Sequence, residues 1–393
     1  MKQACAAAVV AAVMAVPAGV RAQGGVELYG IISGGLTYVS NQAGHGGLHA
    51  NSGIVQPSRW GMRGVEDLGS GLKANFVLES GFDVFSGKLG QGGRMFGRQA
   101  FVGLSDDRAG AITLGRQYDS VVDYVQAFTA TGQWGGLFQH PGDIDNAANS
   151  FRISQSIKWR SPDWGGLVLG GLYSPGDKSG SGPAQNAWSV GVRFGRGDFS
   201  AGAGYLNVKN PAQAVADGNW TGGTVGSAGG YASISNALLA PFASCPGGPV
   251  AGCSTRLVPV SLEIGGVGAS YLFGSVKLSA AYTRTVLGEA YLGRDLMFEN
   301  LDINSHIRLS SAWSAGAGFT LTRGRADAGG ARPKYGQVNL FAGYALSRRT
   351  DLSVAVAVQR AHGDARQAQV APMIGAATGP RQVAVHLGLR HRF

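Results

Sequence analysis

Residues 352–359 read LSVAVAVQ. Leu352, Val354, Val356 and Val358 fall on one face of an extended chain, and Ser353, Ala355, Ala357 and Gln359 on the other. The period is two, the repeat of a strand and not of a helix. The same alternation runs through 313–322, WSAGAGFTLT, where Trp313, Ala315, Ala317, Phe319 and Leu321 oppose Ser314, Gly316, Gly318, Thr320 and Thr322. It is sharper in 301–310, LDINSHIRLS, with Leu301, Ile303, Ile307 and Leu309 against Asp302, Asn304, His306 and Arg308. A soluble sandwich alternates too, so the period alone does not place the chain in a membrane.

Composition narrows the class. Gly supplies 65 of 393 residues, more than twice its usual share of about 7%. Charged residues are only 14% while apolar ones are an ordinary 44%. A disordered chain needs the reverse, few apolar groups and many charges. The glycines show no period of three, which excludes collagen. Ordinary helical domains are disfavoured because Gly costs a helix interior about 1 kcal/mol. A length of 393 would suit two or three soluble domains of roughly 100–200 residues each, but one all-β unit suits this composition better.

Residues 1–22 read as a secretory signal: Lys2, an apolar core over Ala4–Val16, and small residues up to a cleavage site near Ala22. The barrel domain is then 23–393. The apolar run ends at Pro17 and Gly19, short of the roughly 20 residues a helical span needs. Removing Lys2 and Arg21 leaves 31 basic and 23 acidic residues, a net charge of +8. No later stretch approaches 18 consecutive apolar residues, which excludes transmembrane helices. Cys245 and Cys253 remain, in SCPGGPVAGCS, and in an exported chain they read as a local disulfide. Metal binding is disfavoured, since two thiols without a nearby histidine do not complete a tetrahedral site.

The connections decide between sandwich and barrel. Short turns are expected at 65–72, 105–110, 160–165, 195–198, 273–275, 309–313 and 346–351. Longer loops rich in Gly, Pro, Asn and Asp are expected near 41–53, 86–93, 119–149, 175–186, 208–257, 288–296, 327–334 and 363–380. Seven turns and eight loops join sixteen antiparallel strands, with both termini on the short-turn side. That asymmetry is the pattern of a transmembrane β-barrel of the outer membrane, with short periplasmic turns and long extracellular loops. Tyr205, Tyr271, Tyr282, Tyr344, Phe194 and Phe273 lie near strand ends, where aromatic girdles belong. Lys73 and Glu79 alternate with Leu72, Ala74, Phe76 and Leu78, so charge faces the lumen and avoids a cost of about 2–4 kcal/mol in lipid. Sixteen strands leave a water-filled interior.

Particular segments carry a family resemblance. VELYGIISGGLTYV (26–39), SRWGMRGVEDLGSGLKANFVLESGF (58–82), GRMFGRQAFVGL (93–104), AITLGRQYD (111–119), SQSIKWRSPDWGGL (154–167), YALSRRTDLSVAVAVQRAHG (344–363) and QVAVHLGLRHRF (382–393) together resemble the Gram-negative general porins. They resemble especially the trimeric porins of betaproteobacteria. The resemblance implies a homotrimer in contact with outer-membrane lipid and lipopolysaccharide. It also implies that loop 3 folds into the pore, facing an arginine cluster on the wall. Carried onto this chain, the cluster is Arg59, Arg98 and Arg152. Alternation independently supports Arg59, out of phase with Trp60 and Met62, and Arg152, out of phase with Ile153 and Ile157.

Loop 3 contains Asp119, Asp123, Asp143 and Asp145, and the expected opposing pair is Asp119 and Asp123, four apart. Relatives usually carry Glu just before the aromatic-Gly-Gly element, where this chain has Gln133 ahead of Trp134. The final strand sets Val383, Val385, Leu387, Leu389, His391 and Phe393 on one face. Its terminal Phe393 resembles the signal read by the barrel assembly machinery.

The function expected is passive diffusion of ions and small hydrophilic solutes across the outer membrane, weakly to moderately favouring anions, with no cofactor. A barrel enzyme and an adhesin or receptor are the alternatives. Neither a Gly-x-Ser-x-Gly nor an HExxH motif is present. Nucleic-acid binding is disfavoured because the basic residues are spread along alternating strands, not gathered in a stripe with stacking aromatics.

Overall fold

The computed structural model describes residues 24–176, 186–211, 236–242, 259–291, 293–327 and 330–393. The signal segment and the Cys245–Cys253 pair lie outside the described residues. The first strands are β1 (Gly25–Gln42), β2 (His45–Ser52), β3 (Arg59–Gly69), β4 (Leu72–Gly81), β5 (Gln99–Asp106) and β6 (Gly110–Gln117). They are followed by β7 (Ile153–Arg160), β8 (Leu167–Ser174), β9 (Ala187–Arg196), β10 (Phe199–Lys209), β11 (Ser261–Phe273) and β12 (Val276–Tyr291). The last are β13 (Arg294–Arg308), β14 (Trp313–Ala326), β15 (Pro333–Ala345), β16 (Thr350–Gly363) and β17 (Arg381–Arg392).

These segments make a closed antiparallel barrel of sixteen staves. On one side of β1, Ile31–Val39 pairs with β17. On the other, Gly34–Gln42 pairs with β2 and Gly25–Ile31 with β3. So β2 and β3 are two halves of one stave, interrupted at residues 53–58. Closure removes every free sheet edge, which a membrane requires. The seven expected short turns are all found between consecutive strands. Two expected loops are corrected. Residues 45–52 are strand, joined to β1 by Ala43 and Gly44 at positive φ (52° and 97°), the conformation of a tight hairpin. Likewise β13 begins three residues after β12 ends, so 288–296 is also a hairpin.

The wall is inside out relative to a soluble protein. Val102 and Leu387 are 57% and 56% exposed, whereas Asp302 and Asn339 are 0% exposed. Apolar side chains face lipid and polar ones face the lumen, as the alternation requires. Much of the lumen face of β12–β16 is not bare, because loop 3, residues 237–242 and the loop 364–380 (loop 8) pack against it. Wall height also varies. Strands β3 and β5–β8 run 8–11 residues, whereas β11–β17 run 12–16.

Candidate pore constriction

Loop 3 leaves β6 at Tyr118 and returns to β7 at Arg152. Its first turn is α1 (Ser120–Tyr124), and α2 (Ala130–Trp134) follows. Asp119 caps α1, its Oδ1 accepting from the Val121 and Val122 amides (2.8 and 3.2 Å), a stabilising N-cap. Val121, Val125 and Phe128 are buried against the wall. The wall makes room by omitting side chains. A Cβ on Gly204 would stand 2.6 Å from the Ser120 carbonyl, and one on Gly202 would collide with the Tyr124 carbonyl. These lumen-facing glycines cut a trough into β8–β11 that receives the helix.

Beyond the trough the loop stays on the wall. Asn304 Nδ2 on β13 donates to the Phe128 carbonyl (2.9 Å). Trp134 donates to His306 (3.0 Å) and stacks on Phe341 of β15. Gly135, at φ 112°, rests on the backbone of Val55 in the interrupted stave, where no side chain would fit. Leu137 and Phe138 share a core with Val370, Ala371 and Ile374 of loop 8. Loop 3 thus lines the lumen from β8 round to the β2–β3 stave. Among the described residues, only the arc of β3–β7 has no loop 3 helix packed on it.

The arginines occupy that arc, each at the upper end of a short strand. Arg98 Nε donates to Glu79 Oε1 at 2.5 Å and Arg98 Nη2 to Tyr118 Oη at 3.2 Å. Arg59 Nη1 approaches the same Glu79 oxygen at 4.0 Å. Arg152 is buried with its guanidinium 5.5 Å above the Tyr118 ring. The structure therefore brings Arg59, Arg98 and Arg152 together, and adds two members. Glu79, which also accepts from Tyr29 Oη at 3.0 Å, is the acidic centre. Arg116 is the fourth arginine, donating to the Gly97 carbonyl (2.8 Å) and Ser154 Oγ (2.8 Å). Between this bank and loop 3 lies a cavity of about 230 Å³, lined by Arg59, Arg98, Tyr118, Gln133, Asn149 and Arg390 among others.

The loop 3 carboxylates do not line that cavity. Asp119 is buried as the helix cap, bonded also by Asn146 Nδ2 at 2.7 Å; burial pushes its carboxyl upward. Asp123 pairs with Lys158 of β7. Asp143 accepts from the Ala148 and Ser150 amides (2.7 and 3.1 Å); burial and the nearby Asp145 push it up to about 7. Asp145 holds His140 Nδ1 at 2.6 Å, and Asp302 of β13 lies 3.3 Å from His140 Nε2. Burial alone would lower the His140 pKa, but these two carboxylates reverse that and push it up to about 10. Thr283 Oγ1 completes the knot by donating to Asp145. Gln133 reaches the opposite wall through Ser279 Oγ (3.2 Å) and Asn304.

Across residues 6–364 the chain matches the family model described as Gram-negative porin. The chain belongs to that family, the porins of the Gram-negative outer membrane. The porin is 28% identical to outer membrane porin protein 32 of Delftia acidovorans over 97% of this chain and 98% of that one. An outer membrane porin protein of Bordetella pertussis is 32% identical over 48% of this chain and 56% of its own length. Among solved structures, an anion-selective porin from Comamonas acidovorans superposes with a TM-score of 0.72 at 23% identity, covering 94% of this chain and all of that one. At the seam of the barrel, the Phe393 amide and carbonyl exchange bonds with Gly30 (3.1 and 3.0 Å), and the ring covers that glycine on the lipid face.

Proposed function

We propose that this porin forms a water-filled channel for passive diffusion of ions and small hydrophilic solutes, with anions preferred at the neck. The charge balance of the β3–β7 arc carries the reading. Four guanidinium groups, which do not lose their protons in proteins, gather at this arc: Arg59 and Arg98 at the carboxylate of Glu79, Arg152 over Tyr118, and Arg116 on Gly97 and Ser154. The aspartates that sequence reasoning set against them are engaged elsewhere, in a helix cap and an ion pair with Lys158. A neck of net positive charge raises the local concentration of anions and lowers that of cations. The anion selectivity stated for the Comamonas acidovorans porin supports the same sign.

The reading extends to a homotrimer, to assembly through Phe393, and to a channel without catalytic activity. The relatives named above are porins and not enzymes. Reconstitution into planar bilayers under a salt gradient tests the central claim. Discrete conductance steps with a reversal potential on the chloride side are expected. A reversal potential on the potassium side at low salt would overturn the anion preference, and absence of conductance would overturn the channel.

A further inference from the structure

We propose that an alcove on the lumen wall beneath α1, between Arg160 of β7 and Arg193 of β9, binds a phosphate dianion. It lies on the short-turn side of the neck, where β7 ends, and uses none of the neck's arginines. The strand register carries the argument. Gly170 on β8 stands opposite Arg160 on one side and opposite Gly191 on the other. Arg193, two residues beyond Gly191 on the same face, stands opposite Val168. Neighbouring strands are about 4.8 Å apart and residues about 3.4 Å along each, so the two arginine Cα atoms are roughly 12 Å apart. Two long side chains close such a gap onto a ligand of one phosphate's size.

Both arginines face the lumen. Lys158, two residues before Arg160, bonds the Tyr118 carbonyl (3.0 Å) and pairs with Asp123 of loop 3, while Trp159 between them is turned to lipid. Ser189, four residues before Arg193, meets Ser120 of α1 (3.0 Å). Tyr124, the last residue of α1, closes the alcove from above and is buried. A Cβ on Gly191 would collide with its ring, and one on Gly170 with its hydroxyl. The ring therefore lies along the lower end of the glycine trough, and Oη ends over Gly170, beside Arg160.

Nothing in the protein completes this cluster. Among the described residues, Arg160 and Arg193 are in no ion pair, and Tyr124 Oη has no hydrogen-bond partner. Filling the trough needs only the ring, which a phenylalanine would supply. The neighbouring Asp123 is engaged by Lys158. The alcove thus presents two guanidinium forks and a hydroxyl, all of them donors. A tetrahedral phosphate offers a separate pair of oxygens to each fork, because guanidinium groups take phosphate oxygens two at a time. A carboxylate has one such pair and serves one arginine only. The ligand is therefore a phosphate dianion, free or carried as the monoester of a small solute, and it is held between the neck and the short-turn mouth. The inference rests on the channel reading only for the route by which the ligand arrives.

The test uses the mature porin folded in detergent and labelled biosynthetically with fluorotyrosine. The fluorine resonance of Tyr124 is the one lost in Tyr124→Phe. Inorganic phosphate, a sugar phosphate and acetate are titrated in turn at about pH 8, where the phosphates are doubly charged. The Tyr124 resonance should move saturably with both phosphates, and the one with the lower midpoint is the form the site takes. Acetate should move it only at far higher concentration. A unit charge 4 Å away is worth about fivefold in water, so Arg160→Gln or Arg193→Gln should each raise the phosphate midpoint about fivefold, and both together about 25-fold. If the double variant fails to fold, the single variants decide. A Tyr124 resonance that does not saturate with either phosphate overturns the proposal. So does a midpoint unchanged in the arginine variants, or one for acetate equal to that for phosphate. The titration is at equilibrium without ion flow, so its outcome is separate from that of the conductance and selectivity measurements.

Discussion

Replacing Arg59 by Gln removes one permanent charge from the lining of the neck and disturbs little else. Its contacts are a bond to the Pro57 carbonyl (3.1 Å) and the 4.0 Å approach to Glu79, which keeps Arg98 as its partner. A sphere of the cavity's 230 Å³ has a radius near 4 Å, so an ion at its centre stands about 6 Å from a charge on the wall. At that distance in water a unit charge is worth about 0.7 kcal/mol. With a Debye length of about 10 Å at 0.1 M salt, about 0.4 kcal/mol remains. The charge helps an anion and hinders a cation equally, so its loss should lower the anion-to-cation permeability ratio about fourfold at 0.1 M. At 1 M, where the Debye length is about 3 Å, the change should shrink to about 1.4-fold. Zero-current potentials across planar bilayers, taken at both salt concentrations, measure both numbers. An unchanged ratio at 0.1 M, or a change that persists at 1 M, would refute the electrostatic account of the neck.

Other expectations follow from the same geometry. Gln133→Glu places a carboxylate on the cavity lining and should move the zero-current potential towards cations by a step no larger than that of Arg59→Gln. Gly202→Leu puts a side chain where the Tyr124 carbonyl lies; overpacking costs about 1–3 kcal/mol, so α1 should be pushed into the lumen and single-channel conductance should fall. His140 titrates higher in the folded loop than its usual 6.5, so its contribution is complete below pH 6.5 and lost as pH rises through about 10. Voltage-driven closures of wild type should therefore increase only near pH 10, whereas His140→Ala should show them at pH 7, having left Asp145 buried without its partner. If Cys245 and Cys253 form the expected bridge, replacing both by Ser should leave assembly and single-channel current intact, because closing so short a loop would contribute only about 2–3 kcal/mol; failure to reach the outer membrane would show such a bridge to be structural.

The strands and short turns were legible because period-two alternation and tight Gly-rich turns are local signals. The hairpins at 43–44 and 288–296 were not, since their glycines and polar residues have the composition of a loop while pairing as strand. Arg116 escaped for a definite reason. Counting by two puts it with Ile112 and Leu114 on the lipid face, but the pairing of β6 with β7 slips between Gly115 and Gln117. The irregularity turns Arg116 onto Gly97 and Ser154. Glu79 was readable as a lumen charge, yet nothing local says that Arg98, nineteen residues on, would reach it. Asp119 and Asp123 are four apart as expected, but Asp119 precedes the helix as its cap. Spacing alone could not separate a capping carboxylate from one aimed across the pore.

Because loop 3 hugs the wall from β8 to the β2–β3 stave, the porin is a double-walled tube around most of its girth and single-walled along β3–β7. On the lined arc a change in the wall reaches the ion path through the loop that rests on it. Along β3–β7 the side chains of the wall are themselves the lining, so a substitution there meets the passing ion directly.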